Sequence, residues 1–261
     1  MKININETQV QNPLQQKKIT ICLSYYNQGK ELLLNHINEW KQYPQKDKFS
    51  FFIIDDCSEI PVEKILKDIE LSDLDVHIYR VEEDLYCNIA GVRNLGAKEC
   101  KTEWMMIIDM DTLLPKELSN KLLDLTEGKG ISLTLKIKIL ANKRDVSYRF
   151  GVIRNGKVKP HPAVCLVKTK VYWEIGGCDE DLVGHYGQTD RIFWYRAIGK
   201  INIIIMENLI LETIEEASAK EASGNKLIKD KKHNSLLFAK KDKTQKWSTD
   251  HIRFKWRKVV T

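Results

Sequence analysis

Two acids one residue apart, Asp109 and Asp111, directly follow the apolar run Trp104 to Ile108. In an extended segment residues i and i+2 face the same way, so both carboxylates can address one polyanionic ligand, and hard oxygen donors suit Mg2+ or Mn2+. A solvated strand end or a helix cap would use the same residues, and the pair alone does not choose between them. A second acidic pair, Asp55 and Asp56, ends the apolar run Phe49 to Ile54 in the same manner. Arg93 precedes the Asp109 strand on a segment of helical spacing, where a guanidinium can pair with phosphate or orient acids. Asp190 opens another such segment, where an aspartate either takes a proton or answers the helix dipole. His161, in Lys159-Pro160-His161-Pro162, reads equally as the lining of a cleft or as a surface histidine.

The elements that must carry these residues alternate. Lys17 to Ser24 reads as a strand ending in the turn Tyr25 to Gly29, and Leu33, Leu34, Ile37 and Trp40 give Lys30 to Tyr43 helical spacing up to Pro44. The strand Phe49 to Ile54, a helix over Val62 to Leu71, the strand Val76 to Val81, a helix over Asn88 to Cys100 and the strand Trp104 to Ile108 follow, and Pro115 opens a further helix. Alternation of this kind predicts a mostly parallel sheet with helices on both faces, whose ligands bind beyond the carboxyl ends of the strands, where the acids stand. The second half reads as more antiparallel. It has strand-like pieces at Gly130 to Ile139, Ser147 to Arg154 and Ala163 to Lys168, helices over Thr169 to Ile175 and Asp190 to Ile198, and a strand from Ile201 to Met206.

With 43% hydrophobic and 30% charged residues, the 261-residue chain can bury a real core. No apolar stretch exceeds strand length, which argues against a membrane span, and the polar leader of residues 1–16 lacks the apolar run of a signal peptide. Six cysteines without a C-x-x-C pair suggest neither a zinc nor a redox site; they read as reduced core residues of a cytoplasmic protein. From Ala217 to Thr261 there are 13 Lys or Arg against 4 Asp or Glu, an excess larger than the net charge of +6 for the whole chain. Residues 215–261 therefore form a basic extension, expected to be helical, with Trp247, Phe254 and Trp256 interspersed. Such a stretch can bind phosphates or nucleic acid, rest on an anionic surface, or simply be solvated.

Six elements in order resemble the inverting, family-two type of glycosyltransferase. Ile19-Thr20-Ile21-Cys22-Leu23-Ser24-Tyr25-Tyr26-Asn27 looks like the first strand, with Ser24 where proline is usual. Ile53-Ile54-Asp55-Asp56-Cys57-Ser58 looks like V-D-D-G-S, with Cys57 in place of glycine. Ala90-Gly91-Val92-Arg93-Asn94-Leu95-Gly96 is similar to A-x-A-R-N-x-G, and Asp109-Met110-Asp111 to the D-x-D motif. Ile175-Gly176-Gly177-Cys178-Asp179-Glu180 and Tyr186-Gly187-Gln188-Thr189-Asp190 resemble G-G-F-D-E and W-G-G-E-D, with Thr189 in place of glutamate.

The resemblance implies an α/β GT-A fold, a Rossmann-like mixed sheet with helices on both faces, over residues 17–214. Residues 17–115 would be the nucleotide-binding half and 116–214 the acceptor half. It implies a metal-assisted, hexosyltransferase-like enzyme moving a sugar from a nucleotide-diphosphate donor, a UDP-sugar by default, to an acceptor hydroxyl with inversion. Asp111 would hold Mn2+ or Mg2+, with Asp109 beside it facing the ribose or sugar. Ser24, Tyr25, Tyr26, Asn27, Asp56, Asn88, Arg93 and Met110 would complete the donor site, Asp56 reading the base. Asp190 would be the general base, and Gly177, Tyr186, Thr189 and His161 would meet a glycan, lipid-linked or nucleic-acid acceptor. A further metal ligand could come from Glu212 or His233. Two other readings stay open: transfer to a hydroxylated base in DNA, and a non-catalytic nucleotide-sugar binding module, which the departures at Ser24, Cys57 and Thr189 would suit.

Overall fold

A computed structural model describes residues 17–142, 144–154, 156–213 and 228–259. The alternating first half appears as β1 (Ile19–Tyr25), α1 (Lys30–Lys41), β2 (Phe49–Asp55), α2 (Val62–Ile65), β3 (Val76–Val81), α3 (Ile89–Glu99) and β4 (Trp104–Asp109). It continues through β5 (Thr112–Leu113), α4 (Lys116–Thr126), α5 (Leu133–Asn142), β6 (Val146–Arg154), β7 (Lys157–Lys168), α6 (Thr169–Ile175), α7 (Thr189–Ala197), β8 (Asn202–Ile210) and β9 (Glu212–Thr213). After residues 214–227, which are not described, come α8 (Lys232–Thr244) and β10 (Trp256–Val259).

One eight-stranded sheet runs in the order β10-β3-β2-β1-β4-β7-β6-β8. The strands β3, β2, β1 and β4 are parallel, while β7 and β10 run antiparallel to their neighbours β4 and β3. Every residue of β1 and β2 is buried, as both faces of a helix-covered parallel sheet require. Alternate side chains feed two cores. Ile21, Leu23, Phe51 and Ile53 meet α1 through Leu33, Ile37 and Trp40, and Cys22, Phe52 and Ile54 lie in the cluster with Val92 and Leu95 of α3.

Three elements differ from the sequence expectation. The strand expected at Gly130 to Ile139 is instead the helix α5: its Leu-Thr-Leu-Lys-Ile-Lys alternation mimics a strand, but the Ser132 hydroxyl accepts the Leu135 N–H at 3.3 Å, as an N-cap does. The helix expected over Val62 to Leu71 shortens to α2 and continues in turns. The extension expected to be helical ends in β10, paired edge to edge with β3. The polar leader lies outside the described residues. Among those described, no helix is long and apolar enough to cross a membrane, and all six cysteines are free.

Candidate active site at the carboxyl ends of the parallel strands

Strand parity decides where Asp109 goes. Trp104, Met106, Ile108 and Met110 enter the first core and Met105 and Ile107 the second, so Asp109 continues on the face that α3 covers. There α3 presents Arg93, whose side chain is 4% exposed. Its Nη2 donates to Asp109 Oδ1 at 2.9 Å and its Nη1 to Asp190 Oδ1 at 2.5 Å, on the first turn of α7. A buried cation must be paired to be tolerated, so one guanidinium draws β4, α3 and α7 together. Burial lowers the basicity of Arg93, yet Asp190 and then Asp109 carry it well above the ordinary guanidinium value. Arg93 thus touches both acids that the sequence assigned to different halves of the site.

Met110 is buried, and its carbonyl lies 3.2 Å from His36 Nε2, while Asp111 is exposed. The acids on either side of Met110 therefore share the open side. Asp111 Oδ1 accepts from the Thr112 hydroxyl at 3.1 Å, and that hydroxyl is 3.4 Å from His161 Nε2. The amides of Ala163 and Val164 both donate to His161 Nδ1, at 3.2 and 3.1 Å, so the ring proton sits on Nε2 and points to Thr112. His161 is 3% exposed, which corrects its reading as a surface histidine: it is a buried strut between β7 and the Asp111 turn. Two exposed-side carboxylates fit a hard cation that draws its remaining oxygens from a diphosphate. Among the described residues no three His, Cys, Asp or Glu gather into a cluster able to hold an ion. Pairing of β5 with β9 sets Glu212 opposite Leu113, beside this turn, whereas His233 stacks on His185 with ring centroids 3.6 Å apart.

The second acidic pair divides its labour. Asp55, fully buried, accepts from the Ser58 and Val62 amides at 2.8 and 3.2 Å and pairs with Arg80, so it shapes the turn. Asp56 donates its own N–H to the Tyr25 carbonyl at 2.8 Å, and its Oδ2 accepts from the Asn88 amide at 3.2 Å. Its Oδ1 is buried with no partner, as are both amide atoms of the Asn88 side chain. Buried polar atoms without a partner are ones that the planar donor–acceptor edge of a ligand can answer. Burial pushes the Asp56 carboxyl up to about 7, with Asn88 pulling the other way. Gly91 lets Asn88 and Phe254 pack against α3: a Cβ there would stand 2.2 Å from Asn88 Oδ1 and 2.4 Å from Phe254 Cε1. Half-buried Tyr26 lies near Asp56, Asp84 and Tyr86, and Tyr86 is a neighbour that the sequence reading missed. Tyr25 is a core residue, 2% exposed, and the side chain of Asn27 is spent on the Glu59 amide at 2.9 Å. Ser24 pairs in the ladder between Ile54 and Asp109.

Cys57, where the resemblance expects glycine, has φ 58°. A left-handed residue with a Cβ is strained by about 1–2 kcal/mol, partly offset by the greater freedom that glycine has when unfolded. Cys57→Gly is therefore expected to raise the melting temperature by about 2 °C, read by calorimetry. A lower melting temperature would show that the thiol contributes packing that outweighs the strain.

The loop that follows α6 hangs on Asn94. Its amide donates to Cys178 O at 2.9 Å and Glu180 Oε1 at 2.8 Å, and its Oδ1 accepts from the Cys178 amide at 2.8 Å and the Tyr172 hydroxyl at 2.6 Å. An asparagine inside a helix, a poor helix former, is the sequence signal that could have found it. Gly177 is buried, with φ 63° and its carbonyl bonded to Arg196, so it shapes the loop through backbone alone. Thr189 is 8% exposed and Tyr186 half-buried, with Lys231 Nζ 5.7 Å from its ring centroid.

Residues 20–147 match the profile described as glycosyl transferase family 2. Among solved structures, TarS of S. aureus (residues 1–349, in complex with UDP-GlcNAc) is 17% identical with a TM-score of 0.55, over 74% of this chain and 57% of that one. The mannosyltransferase PcManGT of Pyrobaculum calidifontis, in complex with GDP-Man and Mn2+, is 15% identical with a TM-score of 0.57, over 89% and 66%. GalNAc-T7 with UDP, GalNAc and Mn2+ is 14% identical with a TM-score of 0.56, over 77% and 44%. The chain covers less than two thirds of the length of each. No curated protein matches it. Residues 20–147 thus resemble family-two glycosyltransferases in sequence, and the chain shares the GT-A fold with these structures over the parts that they cover.

Proposed function

We propose that the protein transfers a sugar from a nucleotide-diphosphate donor, a UDP-sugar, to an acceptor hydroxyl with inversion of configuration. The observation that carries this reading is the Arg93 bridge, which sets an acid of the D-x-D strand and an acid of the acceptor side 2.9 and 2.5 Å from one guanidinium. Asp56 and Asn88 take the base edge, with Tyr26 beside it. Asp111, with Asp109 beside it, would hold a divalent cation, Mn2+ or Mg2+, which would supply positive charge against the diphosphate leaving group. Arg93 keeps Asp109 in place, and His161 through Thr112 does the same for Asp111. Asp190 takes the proton of the acceptor hydroxyl as that oxygen attacks the anomeric carbon from the face opposite the diphosphate.

The test is release of UDP from UDP-sugars in Mn2+, and no release from any common donor would overturn the reading. Asp111→Asn should reduce Mn2+-stimulated release by about 100-fold or more, because it removes one ligand charge from the site. Release in that variant equal to the native rate would remove Asp111 from the metal site. The acceptor is a glycan, a lipid-linked sugar or a nucleic acid, and salt-sensitive retention on DNA would single out the last.

A further inference from the structure

We propose that residues 231–253 are a positioning element for the acceptor side, holding the loop 183–190 and thereby setting where Asp190 meets its substrate, with Asn234 the residue on which that hold depends. The inference rests on the transferase reading only for the role of Asp190.

The loop cannot support itself. Gly184 and Gly187 have φ 86° and 94°, and Gln188, which is not a glycine, has φ 68° immediately before Thr189 and Asp190. Gln188 occupies the N-cap position of α7 without any side-chain cap bond. The segment leading into α7 is held instead from the first turn of α8. The Asn234 side chain is fully buried, and its Nδ2 donates toward three loop carbonyls: Leu182 at 3.1 Å, His185 at 2.8 Å and Gly187 at 2.9 Å. Gln188 Nε2 donates to the Ser235 hydroxyl at 2.8 Å. Lys231 lies against Gly187, where a Cβ would meet its Cγ at 2.9 Å, and the rings of His185 and His233 are stacked. Loop residues 185 to 188 thus each touch α8 or the residue that opens it.

The segment is itself anchored by charge as well as by the apolar contacts of Phe238 and Trp247. A 13-residue helix is marginal alone, and α8 buries Phe238 while leaving Leu236 66% exposed. Lys241, 5% exposed, bonds Asp179 Oδ2 at 2.9 Å and Asp181 Oδ2 at 2.7 Å. Further along, Ile252 adopts φ 62°, a strained conformation for a β-branched residue, and its amide and that of Arg253 donate to the buried Glu180 carboxylate, Ile252 at 2.7 Å from Oε1. Asp179, Glu180 and Asp181 therefore tie the segment to the loop that Asn94 holds. From there Asn234 reaches the next loop, the one that ends at Asp190.

Asn234→Asp keeps the side-chain shape and replaces a donor facing three carbonyls with an acceptor. With the UDP-sugar that the native protein hydrolyses, kcat for UDP release should fall about tenfold or more, since small misplacements of a reacting group are costly. KM for the donor and the Kd for UDP with Mn2+ should stay within about twofold, because the base and metal sites lie on other loops. Hydrogen exchange of amides 183–190 should quicken while those of β1 and β4 do not. Unchanged kcat with unchanged exchange in the loop would overturn the proposal, and so would loss of UDP binding in parallel with kcat, which marks general unfolding. If Asn234→Asp does not fold, Ser235→Ala, which removes only the Gln188 bond, should show the same split at about threefold, and an unchanged kcat and loop exchange there would overturn it too. Should the native protein release no UDP from any donor, the transferase reading fails, and loop exchange in the variant still decides whether Asn234 holds the loop.

Discussion

Asp190→Asn is expected to lower UDP-sugar turnover by about a thousandfold while UDP with Mn2+ binds within about threefold of the native affinity. Asparagine keeps the shape of the side chain and can still accept the Arg93 hydrogen bond, but it cannot take the proton that the acceptor hydroxyl must lose. In the native protein Asp190 Oδ1 is held by Arg93, and the side chain remains 31% exposed, which leaves the carboxylate open to a substrate. The substitution also strips the buried guanidinium of one of its two carboxylates, leaving Asp109 alone to offset its burial. A fall in melting temperature should therefore accompany the loss of rate, and turnover is to be measured well below the variant's transition. Turnover within threefold of native would place the base elsewhere and reduce the Arg93 to Asp190 contact to a structural tie.

That contact also marks how far the sequence could be read. Asp55, Asp56, Asp109 and Asp111 were legible because each pair ends an apolar run, and local pattern suffices to put such ends on one edge of a parallel sheet. The parity that turns Asp109 toward α3 follows from the same alternation. What could not be read is pairing across long stretches of chain. Arg93 and Asp190 are 97 residues apart, and Asn234 is about 50 residues from the carbonyls that it holds; no periodicity encodes either. The β10 strand was hidden because its alternation is broken by Arg257 and Lys258, both exposed at a sheet edge where charge is tolerated. In α5 the local pattern misled, since Leu and Ile alternating with Lys fit a strand until Ser132 is recognised as a cap. Asn94 and Asn234 share a lesson: an asparagine buried within a helix brings a donor that finds its acceptors on another element, so its presence there points to a tertiary contact without naming the partner.

Asp56 should connect donor binding to pH in a way that no surface acid could. Its carboxyl is pushed by burial up to about 7 from an ordinary 3.8, so the native state binds a proton more readily than the unfolded chain between those values. The stability of the free protein should accordingly fall as pH rises from 4 toward 7 and level off above, by on the order of 4 kcal/mol at most. Asp56→Asn removes that cost, and its melting temperature should exceed the native value at pH 8 and converge with it near pH 4. Binding runs the other way. An ionised Asp56 accepts the imide N–H of uracil as a charged acceptor, whereas the protonated acid offers only a neutral carbonyl oxygen, so UDP affinity should fall as the pH drops below 7. The neutral amide keeps an acceptor but loses the charge, which costs about 1.5–3 kcal/mol above pH 7, where the native acid is ionised, and it should flatten the dependence between pH 6 and 8. Cytosine carries no proton at the corresponding ring nitrogen, so CDP should bind more weakly than UDP above pH 7, and the gap should narrow below it as the acid becomes a donor. Calorimetric titration of both nucleotides at pH 6, 7 and 8 reads all of this at once. A native UDP affinity that is flat across that range would mean that the orphaned Oδ1 of Asp56 does not meet the base.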